Sequence, residues 1–144
     1  MLTHTIEKDR VEDVMLVLEQ IPEFKNTPST EKILDRISHK PHLVLTAYTQ
    51  EQVIGFKIGY ERNGDLYSWL GAIIPKYRRQ GIAASLSAYQ EDWARNNGYT
   101  RIWMKTRNEF PEMLILAIKR DFKVIGFESR QEIAEHRIVL AKSI

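Results

Sequence analysis

The sequence predicts a mixed α/β (α+β) fold, in which a mostly antiparallel central sheet of about seven strands is flanked by about four helices. Apolar residues alternate between helical and strand spacing along the whole chain. Three consecutive strand patterns between residues 43 and 74 are separated only by short turns, which is typical of an antiparallel meander. A long amphipathic pattern then starts at Gly81 and is followed by a strand, a helix and two further strands. This order of elements defines the predicted fold class.

The composition restricts the classes of protein to which the chain can belong. Its 144 residues suit one ordinary domain, so we expect residues 1–144 to form a single domain. The absence of cysteine excludes disulfides, thiolate metal ligands and a cysteinyl intermediate. A formal net charge of +2, carried by scattered basic residues, does not predict a nucleic-acid surface. No apolar stretch resembles a signal or a membrane span, so we expect a soluble cytoplasmic protein.

The chain begins with a short strand and two helices. Residues 2–6 have the composition of a strand. Asp9 and Glu12 form a capping-box pattern that predicts the start of the first helix. Thr27 and Pro28 predict the start of the second helix, because proline suits the first helical position after a cap.

Three strands follow, and they are predicted at residues 43–48, 53–60 and 66–74. The pair Asn63-Gly64 predicts a tight hairpin between the second and the third strand, since both residues tolerate positive φ. The three strands should therefore pair as antiparallel neighbours.

The second half of the chain contains a long helix, Gly81–Asn97, whose apolar side chains recur every three or four residues. A strand follows at 101–106, and Asn108 is expected to cap the last helix. The apolar run 113–118 suggests that this last helix is buried on all sides. The final two strands are expected at 122–128 and 132–141.

The segment before the long helix carries the clearest functional signal. A short basic loop with Arg78 and Arg79 leads into a glycine that opens the helix. The first amides of a helix have no acceptor within it, and the helix dipole adds positive potential there. Gly81 allows a close backbone approach, and the small Ala83 and Ala84 leave the next turn open. The pattern predicts an anion site; the alternative is an ordinary helix start with solvated arginines.

Among known phosphate-binding motifs, neither the P-loop nor the dinucleotide fingerprint is present. The pattern Arg78-x-x-Gly81-x-Ala83 instead resembles the pyrophosphate-binding signature Gln/Arg-x-x-Gly-x-Gly/Ala of the GCN5-related N-acetyltransferase (GNAT) superfamily. The preceding residues 72–78 and the order of elements along the whole chain resemble that family as well. The resemblance implies the family's fold and an enzyme that transfers an acetyl group from acetyl-CoA to an amine.

The same resemblance assigns the coenzyme contacts. It implies that the pyrophosphate is held by six consecutive backbone amides, those of Arg79, Gln80, Gly81, Ile82, Ala83 and Ala84. Arg78 belongs to the same signature. The backbone of Gly71 and Ile73 would pair with the pantetheine arm, with Gly71 in a bulge, and an amide near Leu70 or Gly71 would stabilise the oxyanion. Asn108 would contact the pantetheine, cap a helix, or do both.

Two residues that many family members use are missing. The place of the usual glutamate base falls near Tyr67, and the place of the usual tyrosine acid, counted back from Phe122, falls at Ala117. The resemblance therefore leaves water, or Tyr67 acting through water, to relay the proton. These departures keep one alternative open, namely a non-catalytic acyl-CoA-binding sensor or subunit.

The resemblance places the acceptor beside the loop 20–26. Glu23 and Phe24 would contact a cationic amine through charge and cation–π interaction; the alternative is a solvated loop with one anchoring phenylalanine. Tyr60, Tyr67 and Trp69 are interpreted as packing residues of the sheet face; the alternative is a substrate box. No histidine spacing indicates a metal site. The expected acceptor is a primary amine of a small molecule or peptide, and because family members often dimerise the resemblance also allows a homodimer.

Overall fold

The computed structural model describes residues 2–144, which form one seven-stranded sheet with four helices on its two faces. The strands are β1 (Thr5–Lys8), β2 (His42–Thr49), β3 (Gln52–Arg62), β4 (Asp65–Ile73), β5 (Arg101–Arg107), β6 (Lys123–Glu128) and β7 (Arg137–Ser143). The helices are α1 (Val11–Leu18), α2 (Thr30–Ile37), α3 (Ile82–Asn96) and α4 (Pro111–Lys119). None of the helices in this described part is long and apolar enough to cross a membrane.

The strand order in the sheet is β1-β2-β3-β4-β5-β7-β6. Neighbouring strands run antiparallel except for β4 and β5, which are parallel. The predicted fold class and the predicted meander of β2, β3 and β4 are thus confirmed.

Each pair of helices covers one face of the sheet. Tyr67 of β4 packs in the layer of α1 and α2, whereas its neighbour Leu66 packs with Ala117 in the layer of α3 and α4. This alternation follows from the pleat of a strand, whose successive side chains point to opposite faces. Strand β4 therefore contributes side chains to both layers.

Two predicted helix starts are wrong because other hydrogen bonds replace the predicted caps, one to a neighbouring strand and one within the helix start. Asp9 has a φ of 65°, and its N–H donates to a carbonyl of β2, so Asp9 prolongs the pairing of β1. The N-cap of α1 is Arg10, whose side chain makes no capping hydrogen bond within residues 2–144. In α2 the hydroxyl of Ser29 accepts from the N–H of Lys32 at 3.2 Å, so the helix starts two residues after Thr27-Pro28.

The prediction that Asn108 caps the last helix is also wrong, because the N-cap of α4 is Phe110. The side-chain amide of Asn108 donates instead to the carbonyl of Ile133 at 3.0 Å. Residues Ile133–Glu135 form one turn of 3₁₀ helix, so β7 begins at Arg137 rather than at 132. The Asn108 hydrogen bond fastens this turn to the start of α4.

Helix α4 packs on the sheet through one side only. Ala117 is buried, whereas Ile115 and Ile118 are 52% and 54% exposed. The prediction of a helix buried on all sides is therefore wrong. The apolar run is longer than the face that can reach the sheet, and its remaining side chains face solvent.

Candidate active site

Strands β4 and β5 diverge to leave a slot in the sheet. Their parallel pairing covers residues 66–68 of β4 and ends where Ser68 lies beside Met104. Strand β4 nevertheless continues to Ile73, and β5 continues to Arg107. Beyond Ser68 the facing edges of the two strands are unpaired with each other and can accept a ligand between them.

A bulge in β4 lies at the point where the slot opens. The pairing of β3 with β4 skips Trp69, which is left as the extra residue. The prediction that Gly71 forms the bulge is therefore wrong by two residues. A bulge bends its strand and increases the local twist, so the bulge at Trp69 directs β4 away from β5.

Beyond the bulge, the backbone groups of Gly71 and Ile73 point into the slot. The N–H of Ile74 donates to the carbonyl of Ile54 on β3 at 2.9 Å. Backbone groups of successive strand residues point to opposite edges, so those of Leu70 also face β3, whereas those of Gly71 and Ile73 face away from it. Of the two amides predicted for the oxyanion, only that of Gly71 is directed into the slot.

The loop between β4 and α3 presents six consecutive amides. Within residues 2–144, no N–H from Arg79 to Ala84 donates to a protein acceptor, and the first amide bond of the helix runs from Ser85 to the carbonyl of Gly81 at 3.0 Å. Arg79 and Gly81 both have left-handed backbone, with φ of 63° and 83°. Such alternation curls successive amides around one point, and the dipole of α3 adds to their potential. The loop can therefore hold an anion.

Arg78 fastens this loop to its surroundings. Its Nε donates to the carbonyl of Ile73 at 2.9 Å, and its terminal nitrogens bind both carboxylate oxygens of Glu23 at 2.7 and 3.1 Å. These hydrogen bonds from Arg78 lower the pKa of Glu23. Arg79, by contrast, is exposed and reaches Glu112 at 3.4 Å. The geometry brings the predicted coenzyme residue Arg78 and the predicted acceptor residue Glu23 into one ion pair.

The loop between α1 and α2 bridges the two sides of the slot. Glu23 binds Arg78 on the β4 side. The next residue, Phe24, packs edge-on against Phe110 at the start of α4, with ring centroids 5.8 Å apart. The guanidinium of Arg107, the last residue of β5, lies 5.8 Å from the Phe110 ring. The two predicted acceptor residues therefore form a wall across the slot.

An aromatic cluster lies on the α1 and α2 side of the sheet. Tyr60 packs edge-on against both Tyr67 and Trp69, and the rings of Tyr67 and Trp103 lie 4.4 Å apart. Tyr60 and Tyr67 are buried, which agrees with their interpretation as packing residues. Burial raises the pKa of Tyr67, so its hydroxyl keeps its proton at neutral pH. Three cations lie over these rings, Arg36, Lys40 and Arg62.

A cavity lies on the opposite, α3 and α4 side of the slot. The centre of a water molecule can move through about 20 Å³ of it, which is room for one water. Its lining includes Lys57, Gln90 and Glu91, which the sequence analysis did not single out. The available signal is that Lys57 interrupts an otherwise apolar strand, 53–60.

Glu91 is the centre of a buried ion network. It is 4% exposed, and its carboxylate binds Arg120 at 3.0 Å and Lys142 at 2.7 Å, with Arg95 at 3.9 Å. These contacts connect α3 to the end of α4 and to β7. Since a buried carboxylate is stable only when it is paired, the network fixes the position of α3 against its neighbours.

Comparisons with known proteins agree with this geometry. The fold resembles that of Ard1 from Thermoplasma volcanium, with a TM-score of 0.86, 16% identity and 99% coverage of both chains. It also resembles the ribosomal-protein alanine N-acetyltransferase of Escherichia coli, with a TM-score of 0.84, 16% identity, and coverage of 99% of this chain and 94% of that one. The PaiA N-acetyltransferase of Thermoplasma acidophilum, solved with coenzyme A, has a TM-score of 0.80 and 17% identity, with coverage of 99% and 100%. At these identities the likeness shows the fold.

Among curated protein sequences, none matches this chain significantly. The family model described as the acetyltransferase (GNAT) family, however, matches residues 11–122. That range contains the slot, the amide loop and all of α4. The resemblance noted in the sequence is thereby confirmed, and the chain belongs to the GNAT acetyltransferase family.

Proposed function

We propose that the chain is a single-domain N-acetyltransferase that uses acetyl-CoA as donor and a primary amine of a small molecule or peptide as acceptor. The observation that carries the proposal is the run of six amides at 79–84, which have no acceptor in the described part of the chain and lie at the end of the slot. A diphosphate is the kind of ligand that such a loop and helix N-terminus bind. Family membership and the coenzyme A found in the PaiA structure support the choice of donor.

In this proposal the pantetheine arm extends along β4 as an additional strand. The N–H and the carbonyl of Gly71 and the N–H of Ile73 are its partners, since Arg78 already occupies the carbonyl of Ile73. Asn108 contributes its side-chain carbonyl oxygen, because its NH₂ group donates to Ile133. These partners place the thioester near the bulge in β4.

The reaction is a direct attack of a neutral amine on the thioester carbonyl. The N–H of Gly71 stabilises the oxyanion of the tetrahedral intermediate. The amine approaches from the side of the aromatic cluster, where Tyr67 relays its proton through water. Tyr67 acts in this relay as a protonated hydroxyl, because burial raises its pKa.

The charges near the acceptor side favour an acceptor whose amine belongs to a molecule that is otherwise neutral or negatively charged. The carboxylate of Glu23 is already bound to Arg78, so it offers little attraction to a second cation. The cations over the aromatic cluster add positive potential. Phe24 supplies an apolar wall. Peptides and amino acids should therefore be better acceptors than polyamines.

We expect acetyl-CoA to raise the melting temperature of the protein well above the effect of ATP or NAD, because only acetyl-CoA adds pantetheine contacts with Gly71 and Ile73 to those of its diphosphate. A ligand at about 100 times its Kd stabilises the folded state by about 2.7 kcal/mol. A panel of amino acids, peptides, amino sugars and polyamines, assayed by release of free thiol, then tests turnover. Binding without turnover across the panel would favour the acyl-CoA sensor. An unchanged melting temperature at saturating acetyl-CoA would contradict both functions.

A further inference from the structure

Many family members supply a tyrosine from the last helix as proton donor to the departing coenzyme, and this chain lacks that tyrosine. The corresponding residue here is Ala117, which is buried and has no polar atom in its side chain. Ala117 lines the cavity on the α3 and α4 side of the slot, together with Met113 and Phe122. The cavity thus lies where a larger side chain from α4 would otherwise reach toward the thioester.

Lys57 enters this cavity from the sheet. It lies opposite Gly71 in the pairing of β3 with β4. Because Ile74 and Ile54 form a hydrogen-bonded pair, Lys57 and Gly71 form the closer kind of pair, with Cα atoms about 4.5 Å apart. A Cβ added to Gly71 would lie 3.6 Å from Cγ of Lys57. The lysine side chain therefore passes directly beside the residue that faces the pantetheine.

The cavity begins where the slot begins, and it is bordered there by Ser68 and Met104. Lys57 is 9% exposed, and within residues 2–144 its ammonium makes no hydrogen bond and no ion pair. The side-chain nitrogen of Gln90 is also buried and has no acceptor in the described part of the chain. A buried donor without an acceptor is costly, so the Gln90 nitrogen, with Lys57 lining the same cavity, suits an acceptor atom that arrives with a ligand.

The charges around Lys57 come from three elements. Helix α3 contributes Glu91 and Arg95, the end of α4 contributes Arg120, and β7 contributes Lys142. The residues of β4 and β5 that line the cavity, Ser68 and Met104, carry no charge. The carboxylate of Glu91 binds Arg120 and Lys142, and Arg95 also pairs with Asp92. With Lys57 the cations still outnumber these two carboxylates, and the excess positive potential favours a negative charge on a departing group.

We propose that Lys57 donates a proton to the thiolate of coenzyme A as it leaves. The inference rests on the proposed function. The amine nitrogen forms a bond to the thioester carbon, and the carbon–sulfur bond breaks with its electron pair on sulfur. The Lys57 ammonium transfers one proton to that sulfur, and the neutral lysine regains a proton from water, to which the attacking amine has lost one. The products are the amide and the free thiol.

Burial lowers the pKa of Lys57 to about 8, with Glu91 opposing this shift and Arg120 adding to it. That value lies close to the pKa of an ordinary thiol, about 8.5 for cysteine. General acids work best when their pKa lies near the working pH. Above its pKa the lysine is neutral and cannot donate, so kcat should fall as the pH rises through about 8.

The test compares Lys57→Met with Lys142→Met. Each variant removes one cation from the same network, but Lys142 lies on β7 and does not line the cavity. We expect Lys57→Met to bind acetyl-CoA with unchanged Kd and KM, to lose roughly tenfold or more in kcat, and to lose the fall of kcat above pH 8. Lys142→Met retains the donor and removes only part of the surrounding positive potential, so it should keep the fall of kcat above pH 8 and lose no more than about threefold in kcat. Wild-type kcat and pH profile in Lys57→Met would overturn the inference.

Lys57→Arg separates proton donation from charge alone, because a guanidinium keeps the charge and does not titrate below about pH 12. A low kcat without the alkaline fall supports donation, whereas wild-type kcat would overturn it. If Lys57→Met does not fold, Lys57→Arg still tests whether Lys57 donates a proton.

The melting temperature of Lys57→Met should not drop, because a buried unpaired charge is removed. Failure of the proposed function appears separately, as a wild-type protein that neither binds acetyl-CoA nor releases thiol.

Discussion

Gly81→Val is expected to weaken the binding of acetyl-CoA by about 100-fold. Hydrogen bonds to a charged group contribute about 1.5–3 kcal/mol each, and displacement of the pyrophosphate from the loop loses more than one of them. The valine acts in two ways. Its side chain occupies the space that the phosphate must enter, and it disfavours the left-handed backbone, φ 83°, that aims the amides inward. Titration calorimetry with acetyl-CoA measures the change in Kd.

The matched control is Gly64→Val. Gly64 has a φ of 82°, nearly that of Gly81, and an added Cβ would meet no atom within 4 Å. Both substitutions therefore impose a similar backbone cost of about 1–2 kcal/mol on folding. Only Gly81→Val should lose affinity for the coenzyme. Equal affinities in the two variants would show that the amide loop does not hold the pyrophosphate.

Glu91→Gln is expected to lower the free energy of unfolding by about 3–5 kcal/mol. The carboxylate is 4% exposed and compensates Arg120 and Lys142 directly. Removal of its charge leaves partly buried cations without an anion. Breaking a buried ion pair by removing one partner is strongly destabilising, because the remaining charge is uncompensated. Urea denaturation followed by tryptophan fluorescence measures the loss.

Asp92→Asn provides the comparison for this prediction. Asp92 is the next residue of α3, but its side chain is 74% exposed, and its one ion pair among residues 2–144 is with Arg95, at 3.0 Å. Exposed pairs of this kind contribute at most about 1 kcal/mol. A loss below about 1 kcal/mol in both variants would mean that the Glu91 network does not hold α3 in place.

The parts of the fold that depend on local pattern were predictable from the sequence. The spacing of apolar residues gave the strands and helices, and Gly81 marked the start of α3 because positive φ there suits glycine. The predicted start of α1 was wrong because of a long-range contact: the amide of Asp9 donates to a carbonyl of β2. A capping pattern says nothing about a competing strand 35 residues away.

The candidate site likewise has one part that local sequence predicts and another that depends on long-range contacts. The amide loop lies within one short segment, so a motif identifies it. The Arg78–Glu23 pair joins residues 55 positions apart, and the network of Glu91 with Lys142 spans 51 positions. The cavity around Lys57 exists only after β3, α3 and α4 are assembled. Such contacts depend on tertiary packing, which spacing along one chain does not specify.

The central claim is that the amides of residues 79–84 bind the pyrophosphate of acetyl-CoA. Nitrogen-15 NMR of the amide groups tests it most directly, with acetyl-CoA compared against S-acetyl-pantetheine, which has no pyrophosphate. We expect acetyl-CoA to shift the amide resonances of residues 79–84 and of Gly71 and Ile73, whereas S-acetyl-pantetheine should shift only those of Gly71 and Ile73. Unchanged resonances at 79–84 in saturating acetyl-CoA would contradict it.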